Sequence, residues 1–542
     1  MENQKKQIWL PILFSLVMVL GMFIGYYLRS SSSSVGNFLS FNKANALQEI
    51  TGLIQNKYVD PVKMDSITEL TINELLSHLD PHSIYIPPID VQAVNDDLNG
   101  SFQGVGIEFQ VFDDTVQVIN VVKNGPSEKA GVLIGDKIIY VNDTTKVAGV
   151  KISAEKIRTY MRGEANSKVD ITVLRNNLEK KITITRGNIS ISTVDAAYLI
   201  EPKIGFIRLN KFGEKTYEEF MENLEKLQKQ GMINLILDLR GNTGGLLNEA
   251  VDIADEFLSN NKLVVYTQGN KSARYEFKSK RDGLFETGKL VVLVDETSAS
   301  ASEVLAGALQ DWDRATIVGK RTFGKGLVQQ QFPLSNGGAL RLTIARYYTP
   351  LGRNIQKTYI NKTKEEYRND ALGIHSSEKF ENEDSSHPKP SFKTPKGRIV
   401  YGGGGILPDI IIDNDTLPLS KEVVKFYKTN LLNEAALKQF LIHKQSLEKI
   451  NSPDKMNTDF ILNEQDWKFI ENLATKKAIT LNLITNKEKV EILEDIKAMI
   501  GKLLFGNNGF FEIANKEDKV VLKGLDILQE KKIKKTVLLC SI

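Results

Sequence analysis

The chain has 542 residues, 41% hydrophobic and 25% charged, with a formal net charge of +3. That length exceeds one ordinary core and predicts several domains, and the near balance of charge excludes a nucleic-acid footprint. The single cysteine, Cys540, excludes an intramolecular disulfide and a cysteine-built zinc site.

Lys5 and Lys6 precede an uncharged run, Ile8–Leu28. At about 1.5 Å per residue it is long enough to cross a hydrocarbon core of roughly 30 Å. A cleaved signal peptide is the alternative; its apolar core would be shorter, and no A-x-A site follows. The expectation is a cytoplasmic stub and an uncleaved single-pass signal anchor over residues 1–30, N-terminus inside. The remaining chain would then lie outside the cytoplasm, in the periplasm of a two-membrane bacterium.

Residues 40–98 read as a helical region, interrupted by LDPHS at Leu79–Ser83 and by Pro87–Pro88. A β-rich segment follows over 99–188, with strands expected at Gly106–Phe112, Thr115–Val122, Lys137–Val141, Asp170–Leu174 and Lys180–Arg186. A helix is expected at Ala154–Arg162. From Lys203 to about Tyr348 strand and helix patterns alternate, which argues for an α/β layered domain over 189–356. Residues 357–396 are very polar and read as an inserted surface segment. YGGGGILPD, Tyr401–Asp409, returns to ordered backbone, assigned with 397–414 to the α/β domain. Residues 415–542 are charged and mostly helical, and their residues name no function.

Three stretches carry chemistry. Ser300 follows the apolar strand KLVVLVDE and precedes a helical pattern, Ala301, Val304, Leu305, Ala308, Leu309 and Trp312. It therefore sits at a helix N-terminus, where unpaired N–H groups favour a developing oxyanion. An N-cap serine is the plainer alternative. Lys325 lies between Gly324 and Gly326. If burial keeps it neutral it can take a hydroxyl proton; an exposed lysine in a tight turn is the alternative. The five histidines (His78, His82, His375, His387, His443) all fall outside the α/β segment, which disfavours a Ser-His-Asp triad. Asp238-Leu239-Arg240-Gly241-Asn242-Thr243-Gly244-Gly245 places glycines between a strand and a helix, where open α/β sheets bind ligands. It matches neither a Walker A loop nor a dinucleotide fingerprint. In the β-rich segment, Gly104-Val105-Gly106-Ile107 directly precedes a strand, and GPSEKAGVLIGD follows from Gly125. Such a glycine loop can hold a peptide carboxylate while the peptide adds as a strand.

Together these motifs resemble the C-terminal processing peptidases, or tail-specific proteases. LDPHS, GVGI with AGVLIGD, DLRGNTGG, TSASASEVLAGAL, GKG, YYTPLGRNIQ and GGGGILPD occur here in the family's order. The resemblance implies an α/β multidomain fold: a crotonase-like peptidase core, an inserted PDZ domain over 99–188, a helical N-terminal region and a mostly helical C-terminal extension. It implies a serine-lysine dyad with Ser300 as nucleophile, Lys325 as base and Gln329 as the supporting amide; Ser298 and Ser302 compete for the first role. Oxyanion donors would be the N–H groups of Ala301 and of Gly244 or Gly245. Gly104, Val105, Gly106 and Ile107 would form the PDZ carboxylate loop. No metal or other cofactor is implied. Partners would be protein or peptide substrates with free C-terminal tails and the membrane, with a homo-oligomer or an adaptor protein left open. The expected function is a serine endopeptidase that cleaves extracytoplasmic proteins. The rival is a non-catalytic, membrane-anchored PDZ scaffold.

Overall fold

The computed structural model describes residues 14–23, 46–259, 261–372, 390–412 and 419–530. Residues 1–72 cluster as one unit and 73–542 as another. In the first, the helix Ala46–Lys57 buries none of its side chains. The expected membrane anchor is corrected here. Among the described residues no helix is long and apolar enough to cross a membrane. The described helical run at the N-terminus covers residues 14–23. At about 1.5 Å per residue it spans roughly half of a 30 Å core. The rest of Ile8–Leu28 lies outside the described residues. The single-pass, periplasm-facing placement and the membrane partnership built on that run therefore lose their support.

The second unit is organised by a six-stranded sheet. Val194–Glu201 pairs antiparallel with Ile204–Leu209. From there Asn234–Asp238, Leu290–Val294, Thr316–Gly319 and Ile410–Ile411 add in parallel. A parallel sheet must be covered on both faces, so its strands read as continuous apolar runs; all five residues of Leu290–Val294 are buried. One face packs on Thr216–Lys229, Leu247–Asp255 and Ala301–Asp311, through Phe220, Leu224, Val251, Ala254, Leu305 and Leu309. The other takes Ile236, Val291 and Leu293 against Val521, Leu525 and Leu528 of the helix Lys519–Leu528. The last described helix is thus a layer of the core, although it lies within the segment whose role the sequence left blank.

A second, antiparallel sheet stands beside this one. Its long strand, Ala339–Tyr348, pairs with Leu327–Pro333, with Ile84–Ile86 and with Leu263–Gln268. The β-rich module has its own sheet and core, built on Val116, Val118, Ile138, Ile171, Val173 and Ile184. Ser101–Gly104 pairs with Gly187–Ser190, so the chain enters and leaves this module at one place. Among the described residues, Ile107–Phe112 is paired on one side only, with Thr115–Val121.

The segment after Tyr348 is fastened to the core by a buried ion pair. Arg353 Nη2 lies 2.5 Å from Asp311 Oδ1, both side chains fully buried. The same nitrogen, which carries two N–H groups, also donates to Gln310 Oε1, 3.0 Å away. Arg353 Nη1 also donates to Tyr401 O at 3.1 Å. Replacing Arg353 by Leu leaves Asp311 as an uncompensated buried charge. The expected cost is about 3–5 kcal/mol of unfolding free energy, read from urea midpoints.

Candidate active site

The loops that follow Asp238, Val294 and Gly319 meet at the carboxyl ends of the parallel strands, where an open α/β sheet places its ligand. Ser300 closes the second of these loops. Its backbone is in an uncommon conformation, φ +55° and ψ −114°, and Ala301–Asp311 starts at the next residue. A non-glycine residue held there costs of order 1–3 kcal/mol and persists only where its surroundings impose it. The surroundings are visible. Ala299 N–H donates to Asn242 O at 3.0 Å, and Ser298 O accepts from Phe323 N–H at 3.0 Å. The rival serines are fully buried and committed to structure: Ser298 Oγ donates to Leu239 O at 2.8 Å and Ser302 Oγ to Asn242 O at 2.9 Å. Ser300 is half-buried.

The glycine loop reaches this serine closely. A Cβ on Gly244 would stand 2.7 Å from Ser300 Cβ and 3.0 Å from Ala301 N. One on Gly245 (φ +143°) would stand 2.1 Å from Phe212 O, so neither position has room for a side chain. Gly244 N–H is occupied, donating to Asn242 Oδ1 at 2.9 Å. Of the expected oxyanion donors, Gly245 and Ala301 are therefore the better matched.

Lys325 Nζ donates to Gln329 Oε1 at 3.0 Å. Gln329 Nε2 in turn donates to the carbonyl of His82. Among the described hydrogen bonds none joins Ser300 Oγ to Lys325; the amine is turned to its glutamine. Burial lowers the lysine's pKa, and Arg341 lowers it further, against the opposite pull of Glu303 and Asp80. The expected PDZ carboxylate loop lies apart, in the β-rich module. Val105 O accepts from Ser127 N–H at 3.0 Å and Ser127 Oγ at 2.7 Å, which pins the loop directly before the half-paired strand Ile107–Phe112.

Sequence reasoning missed the group that unites the two loops. Glu303, fully buried, accepts at Oε2 from Ser300 N–H (2.9 Å) and Lys325 N–H (2.8 Å). At Oε1 it accepts from Gly324 N–H (2.8 Å) and Thr322 Oγ1 (2.6 Å). Burial pushes its carboxyl up to about 7, against the downward pull of these four donors. Because all four neighbours donate, the ionised form, which only accepts, is the one that fits. Its signal was present: Glu three residues after a helix-capping serine is a capping-box spacing. Tyr347 adds a second tie, its hydroxyl lying 3.2 Å from Ser300 O and also touching Lys325 O. LDPHS likewise acquires a use. Asp80 Oδ1 accepts from His82 N–H (2.8 Å) and Ser83 N–H (2.9 Å), and Ser83 Oγ accepts from Thr343 N–H at 3.2 Å. These bonds set the His82 carbonyl over Gln329. Burial, and next the charge of Lys325, push the His82 imidazole down to about 4.

Comparison with known proteins agrees with the motifs. Residues 203–365 match the model for peptidase family S41, and residues 104–185 match that for a PDZ domain. A carboxy-terminal-processing protease of Bartonella bacilliformis is 36% identical over 312 residues, covering 56% of this chain and 70% of that protein. A probable CtpA-like serine protease of Staphylococcus aureus strain N315 is 34% identical over 317 residues, of which this chain spans 62% of the length. Among solved structures, a photosystem II D1 C-terminal processing protease is 29% identical, with 69% of this chain and 87% of that one covered at a TM-score of 0.36. The chain belongs to peptidase family S41 and is a serine-type protease of the carboxy-terminal-processing kind, with a PDZ domain; this sets aside the non-catalytic scaffold.

Two outcomes are expected. Glu303→Gln turns an NH₂ toward one pair of donors, and cleavage should fall ~10²-fold with about 2–5 kcal/mol lost from stability, read from initial rates and urea midpoints. For His82, the unfolded imidazole binds its proton near 6.5 and the folded one only near 4. Stability should thus be complete above pH 6.5 and decline as pH falls through that window, by at most about 3 kcal/mol. Unfolding of His82→Phe should not show that decline.

Proposed function

We propose that, within this family, Ser300 is the nucleophile, Lys325 its general base and Gln329 the group that orients the amine. Supporting this is one observation above the others: a single buried carboxylate, Glu303, holds the main chain of both Ser300 and Lys325. The neutral amine takes the Ser300 hydroxyl proton as Oγ bonds to the scissile carbonyl carbon. The oxyanion is received by the N–H groups of Ala301 and Gly245. As the C–N bond breaks, the Lys325 ammonium returns its proton to the leaving amine. Water then attacks the acyl-enzyme, giving one proton to Lys325, and the free acid leaves as Ser300 regains its hydrogen. Lys325 needs to move from Gln329 toward Ser300 by rotation of its own side chain, which its four-carbon stem permits.

The PDZ domain, read as residues 99–188, takes the free C-terminal tail of the substrate. A carboxylate at Gly104–Ile107 would let the tail extend along the open side of Ile107–Phe112 as an added strand. In this division of the chain, 189–356 with 397–414 form the peptidase core. Of the segment 357–396, the described helix Lys364–Ala371 lies beside the lysine turn, and the described part of 415–542 supplies helices, one of which covers the sheet.

The test is cleavage of an unfolded reporter ending in an apolar tail by the full chain, beside Ser300→Ala and Lys325→Ala. Each variant should lose at least ~10²-fold of the rate while still binding the tail. Amidating the tail's carboxylate should raise KM without lowering kcat. Cleavage that survives in Ser300→Ala would refute the assignment.

A further inference from the structure

The polar segment after GRNIQ forms a helix, Lys364–Ala371, capped by Thr363 and Glu366. Asp370 anchors it through Lys357 (3.1 Å) and Lys362 (2.8 Å). Its one large apolar residue, Tyr367, is 2% exposed. The ring stands edge-on to His82 at 5.4 Å and to Phe323 at 5.8 Å between centroids. The hydroxyl accepts from Gln356 Nε2 at 3.0 Å and lies 3.3 Å from His82 Nε2 and 3.5 Å from Gly324 O. Gln356 Oε1 accepts from Gly326 N–H at 2.8 Å. One side chain thus touches the turn on one flank of Lys325, reaches the other flank through Gln356, and backs the histidine whose carbonyl holds Gln329.

We propose that Tyr367 is a positioning residue for Lys325: with His82 and Phe323 it walls the GKG turn from water and so keeps the base neutral. This rests on Lys325 being the base. The other groups that face the amine are Arg341 from Ala339–Tyr348, Glu303 from Ala301–Asp311, and Asp80 with His82 from the LDPHS segment. Lys364, on the same helix as Tyr367, acts on His82, and the Tyr347 hydroxyl meets the lysine's own carbonyl. Arg341 opposes a charged amine, whereas Glu303 and Asp80 favour one, so exclusion of water decides the balance.

The experiment is the pH dependence of kcat/KM for the full chain, Tyr367→Ala, Tyr367→Phe and Lys325→Ala, on the tail-bearing reporter. Activity follows the neutral amine, so it rises with pH through the lysine's pKa. In Tyr367→Ala water reaches the turn and the acid limb moves to higher pH, with about tenfold loss of rate below it for each unit moved. Tyr367→Phe keeps the ring, and its limb stays with the parent's while the rate falls a few-fold. A folded Tyr367→Ala whose limb coincides with the parent's overturns the proposal, as does an equal shift in Tyr367→Phe. If Tyr367→Ala does not fold, Asp370→Asn, which removes the helix's ion pairs with Lys357 and Lys362, must move the limb the same way, and an unmoved limb there overturns it. Should Lys325→Ala cleave with the parent's limb, the dyad fails and the role of Tyr367 falls with it; an inert Lys325→Ala beside an unmoved limb isolates the failure to Tyr367.

Discussion

The site depends on one buried carboxylate. Glu303 receives donors from the serine loop and from the lysine turn, two segments more than twenty residues apart in sequence. Neither loop has a hydrophobic core of its own to fix it. Without a shared acceptor, four buried donors would each carry the cost of lost hydration. The same group also poses a problem. A negative charge near Lys325 favours the ammonium, and the proposed base must be neutral. Three main-chain N–H groups and the Thr322 hydroxyl share that charge, while burial and Arg341 push the amine the other way. Anchoring the lysine and neutralising it are thus separate tasks, assigned to separate groups.

The sheet supplies the geometry on which this rests. Its parallel strands end together, so the loops after Asp238, Val294 and Gly319 converge without long excursions. A parallel sheet is stable only when both faces are covered. Three helices from the middle of the chain cover one face, and Lys519–Leu528, from near its end, covers the other. The site therefore draws on chain distant from every motif. Asp518, at the head of that helix, also takes Arg240 at 2.7 Å, which fastens the helix to the glycine loop.

Much of this is legible in the sequence where the cause is local. The apolar run at Leu290–Val294, the helical spacing after Ser300 and the glycines at 244 and 245 each state a local requirement, and the structure places strand, helix and close approach there. Causes that act across the chain were not legible. Glu303 looked like one more helix residue because three of its four donors come from a turn some twenty residues further along the chain. Residues 357–396 looked like solvent-exposed insertion because charge dominates them. Yet Thr363-x-x-Glu366 is a capping box, and Tyr367 right after it is the residue that docks. The hydropathy of Ile8–Leu28 pointed to an anchor that the described helical run, residues 14–23, is too short to make. Composition reports what a segment can bury, not what it meets.

The central claim is that Ser300 reacts as a nucleophile because a neutral Lys325 serves it. Its most direct measurement is covalent labelling of the full chain by a serine-reactive fluorophosphonate, with the modified residue mapped by mass spectrometry across a pH series. The account predicts labelling at Ser300 with a rate that climbs through a lysine pKa below the ordinary value of about 10.4, and loss of that labelling in Lys325→Ala. Labelling at Ser298 or Ser302, or an unchanged rate at Ser300 in Lys325→Ala, would contradict it.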